Sequence, residues 1–285
     1  MSKHIRNIRR WRRTRHGPQS RSEAGVAAMP PRRRQGPSAP LLATSGRVEL
    51  AMFAAVYLLY EAVRGMFAGR LGVARAHAEL IVGLERALHL GVETAVQRAL
   101  GEGVAGWLLS NVYLIAQTVA PAAALFWLYR HSPVIYRRLR RTVIGAWLLA
   151  LPVFVLFPVA PPRLTGTGVV DTVSQQAAVS LTGHSTLFYN PYAAVPSLHV
   201  AVAFAIAIAM AIALQRPWTK LLAAMWCPLV ITSVIATGNH YLFDVAAGLL
   251  VTGLAYALMH LAGHMPRAVV PIRRPHRLVA VPARS

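Results

Sequence analysis

Three short stretches of the chain carry side chains that could act on a phosphate ester. In Asn190-Pro191-Tyr192-Ala193-Ala194-Val195-Pro196-Ser197-Leu198-His199, a hydroxyl and an imidazole fall within one turn of the start of the apolar run 200–214. A helix start presents backbone N–H groups that lack intrahelical acceptors, at the positive end of the helix dipole, a setting that suits phosphate. In Gly238-Asn239-His240-Tyr241-Leu242-Phe243-Asp244, His240 and Asp244 are four residues apart and share a helix face. A carboxylate there can accept the Nδ1–H of the imidazole and leave Nε2 as nucleophile or base, the base-and-orienter arrangement of catalytic triads. In Ala160-Pro161-Pro162-Arg163, the guanidinium can hold a phosphate with two parallel hydrogen bonds. The stretch that ends at His199 also has a bland reading, a capped transmembrane helix with a satisfied histidine. What decides between them is where the chain puts all three.

The elements that must position these residues are apolar helices. The chain has 285 residues, is 55% hydrophobic and only 14% charged, and its apolar residues come in long runs. Charge so segregated predicts an all-α integral membrane protein. Six transmembrane helices are expected, over about 48–68, 104–129, 142–159, 197–214, 221–236 and 241–261. Residues 70–103 are too charged to span. Leu80, Leu84, Ala87 and Leu88 form a stripe there opposed by Glu79, Arg86 and Glu93, which predicts interfacial amphipathic helices between spans 1 and 2.

Residues 1–46 are rich in Arg, Pro and Ser and predict a disordered cytoplasmic tail; 47–263 form the six-span domain, and 264–285 a second basic cytoplasmic tail. The apolar segment after the first tail is long enough to span, unlike that of a cleavable signal peptide. The net charge of +21, taken alone, suits a nucleic-acid partner. In a membrane protein, excess Arg marks cytoplasmic segments, so the expected partners are the bilayer and anionic lipid headgroups at the basic tails, with no nucleic acid. The single cysteine, Cys227, excludes an internal disulfide framework and a cysteine metal cluster.

Positive charge then orients the chain. Both tails, the 130–141 loop with Arg137, Arg138, Arg140 and Arg141, and the 215–220 turn fall on one side if there are six spans. The 69–103 segment, the 164–195 loop and the 237–240 turn fall on the other. This predicts a protein of the inner (plasma) membrane with both termini cytoplasmic. It also puts Arg163, Ser197, His199, His240 and Asp244 together at the extracytoplasmic face. The long 164–195 loop could act as a lid.

These residues resemble the membrane-bound type 2 phosphatidic acid phosphatase superfamily, whose motifs are Lys-x6-Arg-Pro, Pro-Ser-Gly-His and Ser-Arg-x5-His-x3-Asp. The matches are Arg163, Pro196-Ser197-x-His199, Ser233, His240 and Asp244. Leu156, Leu164, Leu198 and Val234 stand where the motifs have Lys, Pro, Gly and Arg. The variant set Ala-Pro-Pro-Arg-Leu, Asn-Pro-Tyr-Ala-Ala-x-Pro-Ser-Leu-His and Gly-Asn-His-Tyr-x-x-Asp, with Tyr60-Glu61-x-x-Arg64, is similar to one branch. That branch is the inositol phosphorylceramide synthase-like, or inositolphosphotransferase-like, proteins and their bacterial relatives. The similarity covers about residues 48–262.

The resemblance implies phosphoryl transfer through a phosphohistidine on lipid or lipid-linked phosphates. His240 would attack phosphorus, Asp244 would fix its tautomer, and His199 would protonate the leaving alkoxide. Arg163, the Ser197 hydroxyl and the N–H groups at 197–199 would bind the phosphate oxygens, so no metal and no cofactor is expected. Arg64, about 24 Å up its span at 1.5 Å per residue, could replace one of the missing motif cations. Tyr189, Asn190, Tyr192, Asn239 and Tyr241 could hydrogen-bond a polyol acceptor such as inositol, or could equally be loop caps and interfacial anchors. With water as acceptor the same site is a simple lipid phosphate phosphatase. The other classes are a transporter, for which the internal repeat and midplane site are missing, and a non-catalytic membrane anchor, which leaves the five outer-face residues unexplained.

Overall fold

A computed structural model describes residues 46–65, 71–177 and 192–264, and the side chains of 60, 61, 63–65 and 260–264 are outside that description. The expected tails, Asn190, most of the presumed lid and the Arg64 side chain therefore lie outside the described residues. The described chain is helical: α1 Gly46–Gly65, α2 Leu71–Ala87, α3 Glu93–Leu100, α4 Gly103–Gln117, α5 Val119–His131, α6 Pro133–Leu156, α7 Thr172–Gln176, α8 Leu198–Ala213, α9 Pro217–Ala236 and α10 Leu242–His264. A 3-10 turn covers Pro162–Leu164. Among the described residues the one β-type contact is an isolated parallel bridge between Val159 and Ala193.

Local sequence explains these boundaries. α6 and α9 each begin on a proline at the first helical turn, where the missing N–H costs nothing. α8 begins at an N-cap serine, Ser197, whose Oγ accepts from the Val200 N–H at 3.5 Å. Among the described residues, three helices, in α6, α9 and α10, are long and apolar enough to cross a membrane, and the bent pair α3 and α4 makes a fourth crossing if it counts as one. This makes the chain consistent with an integral membrane protein. Six crossings are not shown, for local reasons. The second expected span is divided at Thr118 into α4 and α5. α8 has only 16 residues. α1 carries Arg47, Glu49, Glu61 and Arg64.

α8 is the central helix. It packs against α6, α9 and α10, and less extensively against α4 and α5. Its buried residues are largely alanine, among them Ala201, Ala203, Ala205, Ala207 and Ala209, and small residues let helix axes approach closely. α8 and α10 approach closely at Gly248 of α10, where a Cβ would lie 2.4 Å from the Ser197 carbonyl oxygen. α6 and α9 end, and α8 and α10 begin, at the same end of the bundle. Toward the other end, the Tyr136 hydroxyl donates to Glu49 Oε2 at 2.9 Å, and Arg140 also bonds Glu49, fixing α1 against α6.

α2 and α3 occupy the segment expected to be amphipathic, and the leucine stripe of α2 faces away from the protein. Leu80, Leu84 and Leu88 are exposed, while Ala74, Ala78, Ile81 and Glu85 are buried. Small residues seat α2 tightly on the protein, and the leucines point away from it. Glu93, expected on the polar face, is also buried.

Candidate active site

Three segments converge at the shared end. The first is the arm after α6. α2 holds it along its length: Ala160 N–H donates to the Ala74 carbonyl at 3.0 Å, and Arg75 Nε donates to the Leu164 carbonyl at 3.1 Å. His77 Nδ1 lies 2.8 Å from the Pro158 carbonyl, and its ring stacks on Phe157. Val159 and Ala193 bridge the arm to the strand-like approach to α8. Arg163 is thereby fixed. Its N–H donates to the Gly238 carbonyl at 3.1 Å, its guanidinium bonds Asn239 Oδ1, and its Nε lies 3.4 Å from Asp171 Oδ2.

The second segment is the start of α8. Ser197 N–H donates to the Asp244 carbonyl at 3.0 Å, which joins the starts of α8 and α10. The ring of His199 stacks on Tyr113 of α4 with centroids 4.1 Å apart.

The third is the turn between α9 and α10. Gly238 adopts φ +70°, and a side chain there would collide with Val169 and the Val170 carbonyl at 2.7 Å, so the turn needs glycine. The Gln97 amide of α3 bonds the Val170 and Ala236 carbonyls and accepts from Val170 N–H, clamping this turn to the 164–177 loop. The turn delivers His240, whose Nδ1 lies 3.1 Å from Asp244 Oδ2. The same Oδ2 accepts the Tyr241 N–H at 2.9 Å, so Asp244 caps its own helix from the third position while it orients the imidazole. Burial lowers the His240 ring to about 3, the Arg163 charge acts in the same sense, and the Ala194 carbonyl opposes both. The imidazole is therefore neutral near pH 7, the form in which a histidine is a nucleophile.

A cavity of about 720 Å³ opens on these residues. Arg163, His199, Asn239 and His240 line one end of it. The rest of the wall comes from α1, α4, α5, α6 and α8 and is mostly apolar. On α6 it extends from Phe154 to Tyr136, about 27 Å at 1.5 Å per residue.

The structure thus brings Arg163, His199, His240 and Asp244 together and separates other candidates from them. The Ser197 hydroxyl is fully buried in the α8 cap and is not on the cavity wall. Asn239 is on the wall, but its amide bonds Thr237 and its oxygen meets Arg163, so it orients the arginine. Tyr241 is buried behind the wall with its hydroxyl 3.2 Å from Thr165 Oγ1. Tyr192 is half-buried and packs against the cluster of Val159, Ala194 and Tyr241. Of the two missing motif cations, Val234 lies in the core and Leu156 is 77% exposed, outside the cavity wall. Sequence reasoning missed Tyr113, Asp171 and Gln97. Asp171 sits in a loop where a lone carboxylate carries no pattern, and the partners of Tyr113 and Gln97 are distant in sequence.

A family model described as PAP2 superfamily matches residues 79–258, more than half of the chain, including Arg163, His199, His240 and Asp244. No curated protein and no solved structure matches.

Proposed function

The chain belongs to the PAP2 superfamily, and from that premise we propose that it transfers phosphoryl groups from lipid or lipid-linked phosphates through a phosphohistidine at His240. Membership supports a phosphatase or phosphotransferase of lipid phosphates. The observation that carries the lipid reading further is the cavity. One end presents Arg163, His199 and His240, and the remainder is a mostly apolar channel as long as an extended hydrocarbon chain, with Glu49 and Tyr136 at its far end and a volume usual for ligand sites.

In the first step, Nε2 of His240 attacks phosphorus, the bond from phosphorus to the lipid oxygen breaks, and protonated His199 gives its proton to that oxygen. Asp244 holds the Nδ1 proton and stabilises the imidazolium. In the second step, an acceptor hydroxyl attacks the phosphohistidine, the N–P bond breaks, and His199 takes the acceptor's proton. Arg163, oriented by Asn239 and Asp171, meets the charge on the phosphate oxygens, with the N–H groups at the start of α8. Such preorganised donors are the main catalytic need of phosphoryl transfer, and the reaction proceeds without a metal ion.

The finer reading follows the motif variants: an inositolphosphotransferase-like protein that passes the group to inositol or another polyol, with Asn190 and Asn239 as candidate acceptor contacts and Arg64 supplying a further positive charge, while Tyr192 and Tyr241 pack away from the cavity. Water in the acceptor's place gives simple hydrolysis. The chain crosses the membrane six times, with basic termini on the cytoplasmic side against anionic lipid and the site on the extracytoplasmic side.

The test uses the purified chain in detergent and chelator. Phosphatidic acid, a prenyl phosphate and phosphatidylinositol are each supplied with and without free inositol, beside His240→Ala. A new headgroup product that needs the acceptor supports transfer. Free phosphate, lost in the variant, supports hydrolysis. Turnover that survives in His240→Ala overturns the phosphohistidine.

A further inference from the structure

The first turn of α10 carries the carboxylate that orients His240, and its N–H groups are held from outside the helix. Tyr241 N–H goes to Asp244 itself. Leu242 N–H donates to Glu93 Oε1 at 3.0 Å, and Phe243 N–H donates to Glu85 Oε1 at 2.7 Å. Three consecutive N–H groups therefore end on three carboxyls, two of them brought from α3 and α2. Both glutamates are buried, Glu85 at 3% and Glu93 at 8% exposure. The two carboxyls accept from consecutive N–H groups, so both are held at the same buried helix end. Two buried carboxyls at one helix end favour keeping one proton between them, because two like charges out of water and so placed cannot both ionise at low cost.

This arrangement does two things. It replaces water at a helix end that would otherwise fray, so the direction in which α10 leaves the His240 turn is fixed by α2 and α3. It also leaves that helix end with one negative charge, which the dipole favours, and spares it a second, which would repel Asp244. A second cavity, of about 450 Å³, reaches the pair. Pro162 and Tyr241 line that cavity, while Pro161 and His240 line the larger one, so the pair and the reacting histidine face different cavities.

We propose that Glu85 and Glu93 are positioning residues for the His240–Asp244 pair, acting as a singly protonated carboxyl couple that fixes the start of α10 and loosens it when the shared proton is lost. The proposal rests on the reading of His240 as nucleophile. The groups facing Glu85 are Glu93 from α3, Tyr241 and Asp244 from the start of α10, and Arg86 and His89, which line the same cavity. Burial pushes the Glu85 carboxyl up to about 8; the Phe243 N–H opposes this and Glu93 adds to it. The folded protein then holds this proton more tightly than the unfolded chain. The stabilisation is complete below the ordinary value of 4.5 and is lost as pH rises through about 8.

The experiment compares the unaltered full chain with Glu85→Gln and Glu85→Ala in detergent, from neutral to alkaline pH. Both kcat and KM and the thermal unfolding midpoint are read. The glutamine carbonyl still accepts from Phe243, and its amide donates to Glu93 in place of the shared proton. In the unaltered chain, kcat and the unfolding midpoint both fall on the alkaline side while KM changes little. In Glu85→Gln the alkaline fall of both readouts moves up by about one pH unit or more. Glu85→Ala lowers kcat roughly tenfold at neutral pH with KM nearly constant. The same alkaline fall of the midpoint in Glu85→Gln and the unaltered chain overturns the proposal. His240→Ala is run alongside. If it keeps turnover, the nucleophile assignment fails by itself, while the unfolding data still decide whether the couple shares a proton.

Discussion

The rings of His199 and His240 stand with centroids 5.9 Å apart and planes inclined by 60°, one on the first turn of α8 and the other just before α10. Each is fixed from its far side, His199 by the face of Tyr113 and His240 by Asp244. Two imidazoles held so, with Arg163 on the same cavity wall, can take opposite sides of one phosphorus: one forms a bond to it while the other protonates the group that leaves.

The nucleophile is the sharper of the two assignments. His240→Ala removes the only ring nitrogen assigned to bond phosphorus, so turnover should fall by roughly a thousandfold or more, the scale seen when a nucleophile is lost. A radiolabelled donor should leave no alkali-stable label on the variant protein. A variant that keeps a tenth of the activity contradicts covalent catalysis.

His199 should behave differently. As general acid it contributes about 10²–10⁴, and only when the leaving oxygen needs a proton. His199→Asn should therefore slow an alkyl phosphate far more than an aryl phosphate with an acidic phenol. Equal losses on the two substrates would assign His199 to binding instead.

The contrast between what the chain displays and what it conceals is clearest in these residues. His240 and Asp244 are four apart in sequence, and their hydrogen bond follows from helix geometry alone. Helical character and the apolar runs of α6, α9 and α10 are also readable, because a bilayer demands long uninterrupted apolar stretches. The break at Thr118 was not readable, since residues on both sides stay apolar. α2 is more instructive. Leucines are conspicuous and mark the apolar stripe of an interfacial helix, which lipid can cover; the protein-facing side is marked instead by Ala74 and Ala78 with Glu85 in the same helical phase. A carboxylate in phase with small residues was the available signal for Glu85. For the Ser197 hydroxyl the same residue type serves phosphate or a cap, and only the structure shows it spent on Val200.

The low value of His240 sets the acid side of the pH profile. The ordinary histidine value is 6.5, and burial with Arg163 nearby takes this ring to about 3. A nucleophile must be neutral, so kcat/KM should hold as pH falls through 6.5 and decline only well below it. Stability follows the same sign: the unfolded chain takes up this proton first, so the folded state loses support progressively as pH falls from 6.5 toward 3. An acid limb centred on 6.5 would show that the ring is far better solvated than its burial indicates.

Gly248 tests the packing beneath the site. A methyl group there would lie 2.4 Å from the Ser197 carbonyl oxygen and 3.5 Å from the Ala201 nitrogen. Neither backbone can yield without moving the start of α8 away from α10, and with it the bond from Ser197 N–H to the Asp244 carbonyl. Gly248→Ala should cost about 1–3 kcal/mol as overpacking does and should lower kcat beyond the loss of folded protein. Gly253, on the same helix with nothing within 4 Å of its added Cβ, is the control. Gly253→Ala should leave both quantities nearly unchanged.

The last prediction concerns how Arg163 is aimed. Its guanidinium is held between Asn239 and Asp171, and Asn239 is itself anchored by Thr237 through two hydrogen bonds from its amide. Asn239→Ala leaves the arginine its charge but removes the partner that fixes its plane. A buried hydrogen-bonding group deprived of its partner costs about 1–3 kcal/mol, and here that cost is met partly by the substrate phosphate, which becomes the arginine's alternative acceptor. Asn239→Ala should therefore reduce kcat by roughly tenfold while KM for the lipid phosphate stays level or falls. Arg163→Lys, which keeps the charge and loses the fork, should raise KM as well. If Asn239→Ala raises KM and spares kcat, the asparagine contacts the bound substrate directly, and its bond to Arg163 is incidental to turnover.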